Sequence, residues 1–291
     1  MGLVLDDALD HLYALPTIGA NGSTIEWDID SNHEDNLVNG ALYNNTNNDI
    51  NVILYATFMC GDATAYQQYE VTILCSGQED NSSDYYASVS NLSGNALKSS
   101  LRTLLTDTHK YQTSYGDCKV YLQETDVDPN DPTKVILFYT GNSVNGTWDS
   151  GKTWNREHVW AQSLSWFDDT SESDRGAGAD LHHIRPCDPG VNSSRGNLLF
   201  GESNGYFNPN IYGVDYRGDV ARIIFYLMVR YSDSDGYDWN SIAESYDVLI
   251  KWHLADEVDS FEISRNDKIY SIQGNRNPFI DHPEYAKTIW G

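Results

Sequence analysis

Three short motifs in the second half of the chain decide what it can form: WNREHVW at residues 154–160, DLHHIRP at 180–186 and VNSSRGN at 191–197. Within 44 residues they bring together three histidines, two carboxylates, three arginines and several asparagines. A grouping this dense indicates either a reactive site or a network of satisfied hydrogen bonds beneath a loop. Spacing alone leaves both readings open.

The residue types themselves favour one kind of chemistry. A neutral imidazole can take a proton from water near neutral pH. Carboxylate and amide oxygens are hard ligands that suit magnesium. Guanidinium groups bind phosphate oxygens in pairs. A base, a metal ligand set and a phosphate-binding cation are what phosphodiester hydrolysis requires.

Around these motifs, the periodicity of the sequence predicts an α+β domain. Apolar residues recur at helical spacing over 92–106, with Ser93 as a plausible cap, and a second apolar helix is predicted over 220–231. The apolar run at 134–141 reads as a buried strand that ends in a turn. Helices mixed with a few short strands are typical of the α+β class.

Before this region, the chain has a different pattern. Short β-branched or alternating runs at 23–29, 52–58 and 69–74 are separated by turn-rich pieces, which favours a small antiparallel β-sandwich. We therefore predict three segments: a β-sandwich at 1–76, a polar linker at 77–84 and an α+β domain at 85–291.

Charge supports this division and limits the possible partners. The formal net charge is −25, yet the first basic residue is Lys98, and 14 acidic residues precede it. The first segment is therefore a poor candidate for contact with a polyanion, and the second needs a local basic patch or a metal ion to bind one. No apolar run is long enough to span a membrane, and residues 1–7 do not form an intact signal peptide.

The four cysteines leave the redox compartment open. No pair of Cys60, Cys75, Cys118 and Cys187 has the two-residue spacing of a zinc knuckle. Two disulfides, with Cys60 and Cys75 as the more local pair, and four thiols are both compatible with the sequence.

The three motifs, followed by QGNRNPFIDHPEYA at 273–286, resemble bacterial endonuclease I-type nucleases over residues 85–291. This resemblance implies a ββα-metal (His-Me finger) core of two strands and a helix around one divalent ion. It further implies cleavage of DNA, and often of RNA, without sequence preference, leaving 5′-phosphate and 3′-hydroxyl ends. The run NGSTIEWDIDS at 21–31 and YEVTIL at 69–74 resemble an atrophied bacterial immunoglobulin-like domain.

The family resemblance assigns roles motif by motif. His158 matches the general base, Glu157 and Asn192 match metal ligands, and Arg175 matches a phosphate-stabilising arginine. Neighbouring residues on a strand point to opposite faces, so a bend or a bridging water must bring Glu157 and His158 to one ion. Magnesium is the expected metal, with calcium or manganese as substitutes.

A further group of motif residues is expected to bind phosphate or to support the site: Arg156, Asp180, His182, His183, Arg185, Arg195 and Asn197. We expect a monomer without membrane contact, secreted or held in the periplasm or at the surface of a bacterium. Two other classes remain open at this point. One is a zinc hydrolase that uses His158, His182 and His183, and the other is a non-catalytic surface binding protein.

Helix geometry separates the two asparagines of VNSSRGN. Asp188 is placed to cap a helix whose first residue is Pro189, where the missing N–H costs nothing. If that helix continues, five residues between Asn192 and Asn197 correspond to ~500° of rotation, which leaves them ~140° apart. They cannot both face one ion, and we expect Asn192 to be the ligand.

Overall fold

The computed structural model describes residues 3, 5, 8–9, 12–19, 22–38, 41–44, 49–61, 63–73, 85–164, 171–231 and 239–291. Two compact units, Met1–Ser88 and Val89–Gly291, divide the chain. The expected linker at 77–84 and Cys75 lie outside the described residues. Cys60, Cys118 and Cys187 are free thiols, of which the last two are buried.

The first unit is built from strands. They are β1 (Ala8–Leu9), β2 (Leu12–Ala14), β3 (Thr24–Ile29), β4 (Leu37–Val38), β5 (Ala41–Tyr43), β6 (Ile50–Cys60) and β7 (Ala63–Ile73). One sheet has the order β1-β7-β6-β3 and the other β2-β5-β4. β1 pairs with β7 in parallel, so the expected all-antiparallel arrangement is wrong for that pair. Leu42, Leu54 and Ile73 from the two sheets share one apolar core.

The second unit mixes helices with short strands. The strands are β8 (Val127–Asp128), β9 (Asp131–Ile136), β10 (Ser143–Asn145), β11 (Asn155–His158) and β12 (Ile184–Cys187). The helices are α1 (Gly94–Thr108), α2 (Cys118–Thr125), α3 (Pro189–Arg195), α4 (Arg217–Arg230), α5 (Tyr246–Ala255), α6 (Ser260–Gln273), α7 (Pro278–Asp281) and α8 (Glu284–Trp290). The predicted α+β class is confirmed.

The motif residues form one local unit of two strands and a helix. β11 and β12 pair antiparallel, with Glu157 opposite Arg185 and His158 opposite Ile184. Immediately after β12, Asp188 accepts hydrogen bonds from the backbone N–H groups of Gly190 and Val191, with Pro189 at the first position of α3. This is the predicted cap, and it fixes where α3 begins relative to the strand pair.

An apolar core packs against this unit. Trp154, at the entrance to β11, is fully buried with Leu122 of α2, Leu181 and Ile269 of α6. Burial of such large side chains supplies most of the favourable free energy of folding. The strand pair is therefore fixed by the apolar core rather than by its own few ladder hydrogen bonds.

The predicted helices are confirmed with small shifts in their ends, but the strand expected over 134–141 ends at Ile136. The chain then turns through two left-handed residues, Tyr139 at φ 71° and Gly141 at φ 68°. Only a glycine adopts this conformation without strain, so the tyrosine gave no sequence signal for the turn. Among the described residues, no helix is long and apolar enough to cross a membrane.

Candidate active site

At the end of β11, the motif residues line one polar cavity of about 300 Å³. β11 contributes Arg156, Glu157 and His158, and α3 contributes Asn192 and Arg195. Glu157 and His158 line the same cavity although they are neighbours at the end of β11, whose last residue is His158.

One tautomer of His158 is favoured by its surroundings. Its Nε2 lies 2.9 Å from the carbonyl oxygen of Gly178, which can only accept a hydrogen bond. In the neutral ring Nε2 therefore carries the proton, and the lone pair is on Nδ1. Burial, reinforced by His183 nearby, lowers the pKa of His158 to about 3. The ring is neutral at physiological pH and its Nδ1 can accept a proton.

The carboxylate of Glu157 is almost completely buried. Its Oε1 accepts a 2.8 Å hydrogen bond from the Tyr139 hydroxyl and lies 3.2 Å from the Arg195 guanidinium. Burial raises the pKa of Glu157, whereas Arg195 and the tyrosine hydroxyl act in the opposite direction. Both contacts involve Oε1, which leaves Oε2 as the oxygen that can bind a cation.

Arg195 connects α3 to the end of β11. Its guanidinium donates to the carbonyl oxygens of His158 at 3.0 Å and Val159 at 2.7 Å, in addition to its contact with Glu157. The same group lies 4.7 Å from the centre of the Phe200 ring. Burial of a guanidinium is costly unless its charge and donors are paired; here Nη1 and Nη2 are paired, whereas Nε is buried without a hydrogen-bond partner among the described residues. Arg195 therefore holds the site together.

The structure separates the two asparagines of VNSSRGN. Asn192 donates through Nδ2 to Oδ1 of Asn155 at 2.9 Å, so its own Oδ1 is the atom that can ligate a cation. Asn197 is exposed beyond the end of α3 and does not line the cavity. The assumption that the helix continues is wrong, because it ends at Arg195 and Gly196 follows at φ 53°.

The donors in the cavity fit a hard divalent cation. A carboxylate oxygen of Glu157 and an amide oxygen of Asn192 are two of the oxygen ligands that magnesium and calcium take, with water completing the shell. Among the described residues, no three or more His, Cys, Asp or Glu side chains are grouped to hold a metal. The part of the chain that the structure describes therefore contains no soft or histidine-rich metal site.

The two histidines of DLHHIRP serve the structure around the site. His183 lies 2.6 Å through Nδ1 from the Ala177 carbonyl oxygen and accepts from the Trp160 N–H through Nε2. Nε2 of His182 lies 3.1 Å from the carbonyl oxygen of Asn275. These bonds occupy both ring nitrogens of His183 and one of His182, and the described residues do not form the three-histidine zinc site.

Asp180 and Arg185 lie in the interior. Oδ2 of Asp180 accepts from the hydroxyls of Tyr226 and Tyr231. Burial opposes its ionisation, but His109, His182 and the hydrogen bonds from Tyr226 and Gln273 hold its pKa below the ordinary value. Arg185 donates to Asp126 at 2.7 Å. Neither side chain lines the cavity.

The remaining arginines differ in position. Arg156 lines the cavity, bonds Glu172 at 3.0 Å and stacks with its guanidinium carbon 3.5 Å from the Tyr115 ring centre. Arg175 is half exposed, donates to the Gln112 carbonyl oxygen and is not among the cavity-lining residues. Its expected role at phosphate therefore stays a prediction without geometric support.

Three contributors were not found from sequence. Tyr139 bonds Glu157, the Tyr115 ring stacks on His158 at 5.2 Å, and Gly178 supplies the carbonyl oxygen that sets the tautomer. They lie 18 to 43 residues from their partners in the chain. Backbone carbonyls and distant tyrosines carry no motif, so no sequence signal identified them.

Comparison with known proteins identifies the family to which the chain belongs. A family model for Endonuclease I matches residues 93–214 and 209–284. An extracellular ribonuclease of Bacillus amyloliquefaciens is 38% identical over 260 residues, covering 81% of this chain and 87% of that protein. An extracellular ribonuclease of Bacillus subtilis (strain 168) is 39% identical over 230 residues, covering 71% of this chain and 78% of that protein.

More partial similarity extends to nucleases named for DNA. An extracellular deoxyribonuclease of Aeromonas hydrophila is 31% identical over 119 residues, covering 35% of this chain and 48% of that protein. The matched proteins and the family model describe one class, nucleic-acid-cleaving hydrolases. The chain belongs to the Endonuclease I family, and it is an endonuclease. The resemblance drawn from the four motifs is confirmed.

The buried, neutral His182 predicts acid sensitivity. Burial lowers its pKa from 6.5 to about 4, so between these values the unfolded chain binds a proton that the folded one does not. The free energy of unfolding should fall as pH drops through this window, by up to about 1.4 kcal/mol per pH unit for this one proton. His182→Gln should be less stable near pH 7 but show a shallower decline.

Denaturant unfolding at about pH 7, 6 and 5 measures both slopes. The buried His158 and His183 should keep part of the decline in the variant. Identical slopes in wild type and His182→Gln would contradict a neutral, buried His182.

Proposed function

We propose that this protein is a metal-dependent endonuclease that hydrolyses phosphodiester bonds of RNA and DNA without strong sequence preference. In this proposal β11, β12 and α3 are a ββα-metal, or His-Me finger, core, and the products carry 5′-phosphate and 3′-hydroxyl ends. The observation that carries the proposal is the convergence of His158, Glu157 and Asn192 on one polar cavity.

His158 is the general base of the proposed reaction. Its Nδ1 takes a proton from the attacking water, and the proton on Nε2 keeps its hydrogen bond to Gly178 throughout. Because that carbonyl carries a partial negative charge, it stabilises the imidazolium formed when Nδ1 is protonated. The near-parallel Tyr115 ring limits rotation of the imidazole.

Oε2 of Glu157 and Oδ1 of Asn192 would hold the divalent ion, with magnesium first and calcium or manganese as substitutes. When bound, such an ion neutralises charge that develops on the phosphate oxygens as the P–O bond breaks. A histidine base makes a second metal unnecessary for generating the nucleophile. Two arginines line the cavity, Arg156 and Arg195, and the side chain of Arg156 is the more exposed of the two. Arg156 is therefore our candidate for phosphate contact.

Both RNA and DNA are proposed substrates, with RNA placed first. The relatives aligned over most of this chain are named ribonucleases, whereas the relatives named for DNA align over about a third of it. Recognition of backbone phosphates predicts binding that weakens with salt. We further propose that the protein acts outside the cytoplasm as a monomer and that residues 1–76 are an immunoglobulin-like domain outside the reaction.

Metal dependence is tested by incubating the protein with supercoiled plasmid and with a single-stranded RNA. Cleavage of both should require added Mg²⁺, stop with excess EDTA and resume when Mg²⁺ is restored. Zinc restoring activity where magnesium does not would contradict the proposed ligand set, and cleavage in EDTA would contradict metal dependence altogether.

His158→Ala should reduce cleavage by about 10²- to 10⁴-fold, the usual contribution of a general base. Single-turnover rates with saturating Mg²⁺ measure this loss, and circular dichroism verifies the fold. A folded variant within tenfold of wild type would rule out His158 as the base. His282→Ala, at a partly exposed histidine in the C-terminal segment, is the matched control and should leave the rate unchanged.

Asn192→Ala and Asn197→Ala test the metal ligand. Removing Oδ1 of Asn192 should raise the Mg²⁺ concentration needed for half-maximal activity by at least about tenfold, the scale of one lost charged contact. Asn197→Ala should leave that concentration unchanged, because its side chain lies outside the cavity. The opposite pattern would exchange their roles.

A further inference from the structure

Tyr139 occupies a strained position that the reaction outlined above does not use. It is fully buried yet adopts the left-handed conformation, at φ 71°. Residues other than glycine rarely adopt this conformation, and bulky residues almost never do. Residues held in such conformations concentrate at functional sites, where the surrounding structure keeps them in place.

Backbone hydrogen bonds hold the turn that carries Tyr139 in place and join it to β12. Leu137 accepts from the N–H of Gly141 and donates to the carbonyl of Asn142, each at 2.9 Å, which closes the loop. The N–H of Phe138 donates to the carbonyl oxygen of Pro186, which pairs with Arg156 across β11 and β12. The strained residue is therefore tied to the two strands that carry the motif.

The result of this geometry is a single polar contact. The Tyr139 ring packs against Phe207 and Phe138, with ring centres 4.9 Å and 4.5 Å apart, so the polar contact is made by its hydroxyl. That hydroxyl donates to Oε1 of Glu157 at 2.8 Å, on the same oxygen that Arg195 contacts. A phenylalanine would fill the same space, so packing alone does not explain the hydroxyl.

We propose that Tyr139 is a positioning residue for the metal site: together with Arg195 it holds Oε1 of Glu157 and so presents Oε2 to the cation. This inference rests on the proposed function, in which Glu157 is a metal ligand. Two donors on one oxygen fix the carboxylate plane and occupy the oxygen that does not face the ion. Without the hydroxyl, the carboxylate is held by Arg195 alone and must be ordered when the cation binds.

Tyr139→Phe tests the proposal, with Tyr216→Phe as the matched control. Tyr216 belongs to the same aromatic cluster, with its ring centre 4.9 Å from that of Phe138, and is also buried, but no hydrogen bond joins its hydroxyl to Glu157 among the described residues. Each full-length protein is titrated with Mn²⁺ alone, without substrate, and free Mn²⁺ is followed by electron paramagnetic resonance. Thermal unfolding of the metal-free proteins is recorded alongside.

Tyr139→Phe should bind Mn²⁺ about tenfold to a hundredfold more weakly, the range for loss of a hydrogen bond to a charged group. Its cleavage rate should return close to that of wild type at saturating metal, because His158 is untouched. Tyr216→Phe should bind Mn²⁺ within about twofold of wild type. A purely structural tyrosine would instead lower thermal stability and the rate in a way that added metal does not restore.

Unchanged Mn²⁺ affinity in folded Tyr139→Phe would overturn the positioning role while leaving the proposed function intact. A rate deficit that persists at saturating metal would overturn it as well. If wild type itself binds no Mn²⁺ and cleaves in EDTA, the proposed function fails first, and the two failures are thereby distinguished.

Discussion

The pairing of Arg195 with the end of β11 is the interaction on which the site depends. Burying a guanidinium is unfavourable unless its charge is matched, because desolvation of the ion costs several kcal/mol. Here the matching groups are the carboxylate of Glu157 and the carbonyl oxygens of His158 and Val159. Any movement of α3 away from β11 would leave an unpaired buried charge. The helix that carries Asn192 is therefore held in a fixed position against the strand that carries His158.

A second constraint is that nearly all titratable groups near the cavity are buried. Burial keeps the three motif histidines neutral, since the pKa of each is lowered to between about 3 and about 4. A buried neutral imidazole must still satisfy its N–H, and backbone carbonyls of Gly178, Ala177 and Asn275 do so. The same carbonyls decide which nitrogen carries the proton. Burial thus sets the charge of His158, and the Gly178 carbonyl sets its tautomer.

The strained backbone of Tyr139 is also held in place by contacts around the site. A bulky residue in the left-handed region costs on the order of 1–3 kcal/mol, and a fold retains it only where surrounding contacts fix it. Here those contacts are the aromatic packing against Phe138 and Phe207 and the backbone bond to Pro186. The apolar core behind β11 supplies the rigidity that makes this strain sustainable. Core packing, turn conformation and carboxylate orientation are therefore linked.

Sequence by itself determined the α+β class, the strand-rich first unit, the principal helices and a group of candidate site residues, of which Arg156, Glu157, His158, Asn192 and Arg195 line the cavity. These follow from local periodicity, from the cap at Asp188 and from motifs whose residue types carry chemistry. The family followed from the order of four motifs. Helix ends were nearly right because the apolar spacing that defines a helix lies within the element itself.

Only the tertiary structure decided which motif residues meet. Arg156, Asp180 and Arg185 are all charged residues of the motifs. Arg156 lines the cavity, whereas Asp180 and Arg185 are buried and do not line it. Arg175 was placed by its distance along the chain and lies apart from the cavity, because a loop of given length does not fix direction. Tyr139 and Gly178 reach the site through a left-handed turn and a backbone carbonyl. Neither a side-chain pattern nor a spacing encodes such contacts, which arise only when distant segments pack together.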